Sequence, residues 1–261
     1  MHEDRIRPQK KAFEKAKRSD FWLSVTIIIA FIFAVLISIL KYVISSQVEP
    51  LNNVSLFGSV FFTIIIAVQS LWFSIQQNAA ETERRAGLID NAFETKVGLH
   101  PSKNYYDTKG ISNGSVKLLA TVHENCMYTN RIAEKMLTKC GIKLGFMFIV
   151  LLICFFIGIS HIQVFEAILQ FFLSGIFIYE FIDIYTLYNS TKNIEENSRE
   201  IWSTFTDNRE SMLFTAKATH IAIRYECAIT RAALILDEKV YIKLNKSIEE
   251  EWNLFRQVHN I

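Results

Sequence analysis

The sequence predicts an all-α membrane protein: two transmembrane helical hairpins, four spans in all, joined to a cytosolic helical domain. Three observations lead there. Of the 261 residues, 51% are hydrophobic, and they gather into blocks, whereas a soluble chain of this length spreads them along its elements. The blocks 21–40, 54–75 and 144–160 contain no charged residue, and about 17–25 such residues are what a helix needs to cross a hydrocarbon core. The polar stretches between them repeat their apolar residues every three or four positions, and none alternates as a strand would.

Residues 1–20 read as a basic cytosolic helix, with seven Lys or Arg against four Asp or Glu. The first hairpin covers 21–77. Its first span, "FWLSVTIIIAFIFAVLISIL" from Phe21 to Leu40, reaches about 30 Å at 1.5 Å per residue. The run is too long for a secretory leader and no small-x-small site follows it, so it is expected to be retained. "SSQVEPLNN" (45–53) reads as a polar turn containing Pro50. The second span follows at about Val54 to Ile75, with Trp72 suited to an interfacial anchor.

Residues 78–143 form a cytosolic insert. Ala79 to Phe93 reads as a helix leaving the membrane. "LHPSKNYYDTKGISNG" is rich in turn formers and reads as a loop. Leu118, Val122, Met127 and Ile132 then mark a helix leading into the next span. The second hairpin, 144–186, has its spans at Leu144 to Ser160 and at about Val164 to Ile184. The tail, 187–261, is a cytosolic helical segment with three stripes. Leu187, Ile194 and Ile201 recur every seven residues. Leu213, Ala216, His220, Ile223, Cys227, Thr230 and Leu234 step by three and four, and so do Val240, Leu244, Ile248, Trp252 and Phe255. Each stripe is expected to be buried against another helix.

Charge sets the orientation. The turns at 45–53 and 160–163 carry no Lys or Arg, while 76–143 and 187–261 carry ten each. The positive-inside rule then puts both termini in the cytoplasm, which four spans require as well. A net charge of +2 is too balanced to imply nucleic acid. Cys126, Cys140, Cys154 and Cys227 have irregular spacing, which suggests free thiols rather than disulfides or zinc ligands.

Polar residues in the spans are the first functional candidates. Glu180 and Asp183 lie three apart and share a helix face. At a helix centre each would cost roughly 2.5–3.5 kcal/mol, and less toward the interface. Two readings stand: an interfacial anchor or salt bridge to a base such as Lys143, or a ring of acids at the inner mouth of an oligomeric pore, which would favour cations. Glu166 sits at the outer end of the same span. Gln69 and Gln170 could line a pore or bond between helices.

"HENCMYTNR" (123–131) sets His123 near Cys126, types that bind metal or pair as base and nucleophile, but no second ligand pair completes a site. The plain alternative is a polar helix joining the membrane. "KNYYDTKG" could stack a base on Tyr105 or Tyr106 with Lys103 or Lys109 on phosphate; it could equally be a loop pinned by two aromatics. No phosphate-binding Walker loop, GxSxG, HExxH or dinucleotide fingerprint occurs. The expectation is a non-enzyme with no catalytic residue, cofactor or metal.

Several stretches carry a resemblance. "FEKAKRSDFW", "LIDNAFETKVGL", "HENCMYTNRIAEKM" and "ATHIAIRYECAITRAALILDEKVY", in this order around two hairpins, resemble the four-transmembrane pore-forming effectors linked to bacterial nucleotide-second-messenger defence against phage (SMODS-linked, CBASS-type). Such membership implies a multi-pass protein of the bacterial inner membrane, acting as a homo-oligomer in the lipid bilayer. It implies triggering by a cyclic nucleotide from a partner nucleotidyltransferase, then membrane leakage and abortive infection. The alternative is a non-conducting membrane scaffold whose helical tail recruits a cytosolic partner.

Overall fold

The uncharged blocks 21–40 and 54–75 lie inside longer helices, and 144–158 closes a third. The computed structural model describes residues 10–44, 48–98, 108, 110–158 and 176–261. These form six helices and no strand among the described residues: α1 (Lys10–Val43), α2 (Val48–Phe93), α3 (Ser115–Gly158), α4 (Ile176–Thr204), α5 (Met212–Ala232) and α6 (Glu238–His259). Among the described residues the fold is all-helical. Three of the helices, α1, α2 and α3, are long and apolar enough to cross a membrane. Most of the expected fourth span lies outside the described residues. α2 already begins at Val48, inside the stretch 45–53 expected to be a turn. Pro50 falls in its first turn, where a missing N–H leaves no intrahelical bond unmade.

The chain divides into two compact units. The apolar unit comprises Ala12–Asn78 and Cys140–Glu180. Only 6%, none and 6% of the most apolar stretches of α1, α2 and α3 are buried by the chain itself, so their outer surface suits lipid. Hydroxyls in these stretches bond to the carbonyl one turn back, as Thr26 does to Trp22, Ser38 to Ala34 and Thr63 to Ser59. That satisfies donors that lipid cannot. Where α1 meets α2, the Phe33 and Phe62 rings lie 5.5 Å apart. Gly58 lets the Phe33 ring approach the α2 backbone, since a Cβ there would run into the ring.

The other unit, called the polar unit here, contains Ala79–Lys139 and Phe181–Ile261. Its core gathers Leu88 and Ala92 of α2, Leu119, Val122 and Met127 of α3, Ile194, Ile201 and Trp202 of α4, Phe214 and Ile221 of α5, and Ile248 and Trp252 of α6. Burying each larger side chain contributes roughly 1.5–3 kcal/mol. The seven-residue repeat Leu187, Ile194, Ile201 is buried throughout. So are Val240, Ile248 and Trp252, with Leu244 and Phe255 packed alongside.

Helix ends are capped by side chains. Ser211 accepts a bond from the Phe214 N–H, and Asp237 from the N–H groups of Lys239 and Val240. Ala233 and Asn260 close α5 and α6 in the left-handed conformation. Arg209 donates to the carbonyls of His259 at 2.6 Å and Asn260 at 2.9 Å. A cation is favourable at that end of α6.

The α5 stripe is the main correction. Leu213 is 59% exposed and Ile223 57% exposed, and His220, Cys227 and Thr230 are exposed too. The buried face is the neighbouring one: Phe214, Ala218, Ile221, Tyr225 and Ala232. Two seams run along α5, and the one carrying aromatic rings hides more area, so it wins the core. Phe214→Ala should therefore cost about 3–5 kcal/mol. Leu213→Ala should stay within about 0.5 kcal/mol. Denaturant unfolding of the full chain in detergent, followed by tryptophan fluorescence, distinguishes the two faces.

Candidate functional site

Glu180 sits early in α4 and its carboxylate meets Lys143 Nζ of α3 at 2.9 Å. Both side chains are half-exposed. The geometry is the ion pair allowed for in the sequence, inside the apolar unit. Asp183 follows one turn later on the same face of α4 and is half-buried. Gln69 of α2 is half-buried, and its Oε1 has no protein partner. Glu166, Gln170, Lys103, Tyr105, Tyr106 and Lys109 lie outside the described residues.

The flank of that last loop is described. Thr108 is buried and within 3.5 Å of the Asn91 side chain, which also donates to Thr121 at 2.9 Å. Asp90 accepts from the N–H groups of Val97 and Gly98 at 2.7 and 2.8 Å and from the Thr95 hydroxyl at 2.8 Å. One carboxylate thus orders the chain as it leaves α2.

The "HENCMYTNR" stretch belongs to α3, which continues into the apolar stretch as expected, but several of its residues face the core. His123, Cys126, Met127, Thr129 and Asn130 are all buried. His123 packs edge-on against Trp252 and Phe255, with ring centroids 5.3 and 4.6 Å away. Neither of its ring nitrogens has a protein partner. Among the described residues no group of three or more His, Cys, Asp or Glu could hold a metal. The Thr129 and Tyr225 hydroxyls bond at 3.2 Å, and Asn130 donates to the Tyr188 carbonyl at 3.0 Å. Burial pushes the Tyr225 phenol well above the usual range.

Two ion-pair networks had no signature in the sequence. Arg84 of α2 forks onto Glu226 of α5 at 3.0 and 2.5 Å and also binds Glu81 at 2.9 Å. Arg85 reaches Glu226 at 3.2 Å and Thr230 at 2.6 Å. In the second network, Glu195 of α4 is buried between Arg131 of α3 at 3.4 Å and Arg199 at 2.7 Å. Arg131 also holds Glu251 of α6 at 2.7 Å. These forks tie α2 to α5 and α3 to α4 and α6. Glu81–Arg84 and Glu195–Arg199 lie one turn apart, but the partners that join different helices are far apart in the chain, so no local spacing could have announced those.

Compared with known proteins, the chain matches no family model, no curated protein and no solved structure. The arrangement itself offers an apolar unit open to lipid and a polar unit of helices clamped by shared carboxylates.

Denaturant unfolding of the full chain in detergent tests three of these residues. Glu195→Ala removes one of the two carboxylates that Arg131 and Arg199 share, Glu251 being the other, and should cost about 1–3 kcal/mol. Replacing His123, whose nitrogens are unpartnered, with Leu should be neutral or mildly stabilising. Asp237 gives a pH dependence. The hydrogen bond from Lys139 holds its carboxyl below the usual value, against the opposing effect of burial, and the Val240 and Lys239 amides add to the lowering. A folded-state pKa below the unfolded one stabilises fully above the unfolded value of 3.8. That stability is lost as pH falls through the folded value. Asp237→Ala should cost about 1 kcal/mol at neutral pH, and the difference from the parent chain should shrink below the unfolded pKa.

Proposed function

We propose that the chain is a membrane effector: a homo-oligomer that permeabilises the bacterial inner membrane when a nucleotide second messenger reaches its polar unit, ending in abortive infection. Two hairpins with both termini cytoplasmic are part of this reading, the segment 164–184 forming the fourth span. The observation that carries it is the nearly uncovered apolar surface of α1, α2 and α3. A monomer leaves that surface to lipid or to further copies of itself. Support comes also from α2 and α3, which run unbroken from such stretches into residues of the polar core. The resemblance of the sequence to the four-transmembrane defence effectors supplies the signal and the outcome of this reading.

In this reading Glu180 and Asp183 line the inner mouth of the pore, with Gln69 a further polar group on the path. One observation favours the non-conducting scaffold instead: Glu180 is engaged by Lys143 rather than left facing a lumen. Purified protein in dye-loaded vesicles separates the two. An effector is expected to release dye once the cyclic nucleotide is added, and Glu180→Gln with Asp183→Asn should weaken cation selectivity. Vesicles that stay tight with every nucleotide offered would leave the scaffold standing. Leakage with unchanged selectivity in the double variant would take the two acids out of the pore.

A further inference from the structure

We propose that a groove between α4 and α5 in the polar unit binds a phosphate-bearing organic anion. The groove measures about 470 Å³, within the range of small-molecule sites. Asn189, Ser190 and Asn193 line its α4 side, and His220, Arg224 and Arg231 its α5 side. No carboxylate lines it. Glu226, the acid of α5, is instead engaged by Arg84 and Arg85 of α2. Two guanidiniums facing amides and a hydroxyl form a donor-rich set, and guanidinium forks match phosphate oxygens. Arg231 also feels the charge of Asp183, so Arg224 is the stronger anion contact.

Asn193 adds direction. Its Oδ1 accepts from Arg224 Nη2 and from Asn197 Nδ2, both at 2.8 Å. With its oxygen engaged twice, the carboxamide keeps its Nδ2 as a donor. The same bond draws Arg224 from α5 toward α4. Ile194, Ile223 and Ala228 give the groove an apolar lining, which suits the carbon part of such a ligand, a base or an acyl chain. A soluble nucleotide and the headgroup of an anionic phospholipid share this chemistry. The groove is argued from its own residues; only the further step, that its occupant is the trigger, rests on the effector reading above.

Cys227 is exposed and lines the groove, so it reports occupancy. The full chain in phosphatidylcholine nanodiscs is treated with a maleimide, and labelling of the Cys227 peptide is followed by mass spectrometry. About 1 mM AMP should slow labelling about threefold, while potassium chloride at equal ionic strength should not. In the lipid arm, nanodiscs containing phosphatidylglycerol should slow it without nucleotide. Protection in the first arm assigns a soluble ligand, and in the second a headgroup. Arg224→Gln with Arg231→Gln should abolish either one. Ile223→Glu, which leaves both arginines in place, should do the same and covers the case where the arginine variant misfolds. One labelling rate in all arms, or protection that survives both variants, overturns the site. Dye release is read separately: a protected groove in vesicles that stay tight would end the permeabilisation reading and leave the groove intact.

Discussion

Lipid offers a peptide group no hydrogen bond, and this constraint organises the apolar unit. A chain with uncharged stretches at 21–40, 54–75 and 144–160 has to close its backbone bonds within each helix. The helices that result are longer than a bilayer needs. At 1.5 Å per residue the 46 residues of α2 span about 69 Å, against a hydrocarbon core of about 30 Å. The remainder of α2 must therefore meet water or protein. Its sequence changes accordingly after Asn78, where Glu81, Arg84 and Arg85 give it partners and Leu88 and Ala92 give it a core face. The 44 residues of α3 make the reverse passage, from Leu119 and Met127 in the core to the exposed Phe146, Ile149 and Ile153. One helix serves two solvents, and its composition switches where the solvent does.

The polar unit shows how apolar burial and polar satisfaction are weighed against each other. Trp202 and Trp252 are buried with no protein partner for their indole N–H groups. An orphan donor costs about 1–3 kcal/mol. An indole of roughly 150–250 Å² contributes about 4–6 kcal/mol at 25 cal/mol per Å². Ring burial exceeds the loss, so the arrangement stands. Charges follow a different balance. Glu195 is buried but bonded to two arginines whose side chains still reach water, at 30% and 44% exposure. A carboxylate shared in this way keeps its charge compensated while only one member of the cluster loses its water. Arg131 brings its charge from α3, whereas Arg199 stands one turn from Glu195 on α4 itself.

How much of this was legible in the sequence depended on the range of the signal. The repeat Leu187, Ile194, Ile201 and the run from Val240 to Trp252 were readable because in each the apolar period coincides with the buried face of the helix. Apolar length alone identified α1, α2 and the membrane half of α3. Lys143 could be named as a partner for Glu180 because both stand at ends of neighbouring apolar blocks, where a base and an acid have few other options. Arg84 and Glu226, 142 positions apart, had no such restriction, since any of the many acids in the polar segments would have served equally well. The burial of "HENCMYTNR" was hidden for a related reason. Polar residues suggest a surface until their partners are known, and Tyr188, Tyr225 and Trp252 all come from other helices.

The stripe on α5 was misread in a different way. The period from Leu213 to Leu234 is real, but a periodic face shows only that one side of a helix differs from the other. Its composition held the distinction. The buried face carries Phe214, Ile221 and Tyr225, with small residues between the rings. The stripe first selected includes His220, Cys227 and Thr230, which hide little apolar area and bring groups that want partners. Such a mixture serves a core poorly and suits a lining that must meet both carbon and charge. His220, Ile223 and Cys227 do line the groove beside Arg224 and Arg231. The two seams lie about 100° apart, the angle between successive residues at 3.6 per turn. A shift of one position therefore exchanges a core face for a binding face, and the side-chain chemistry, not the period, says which is which.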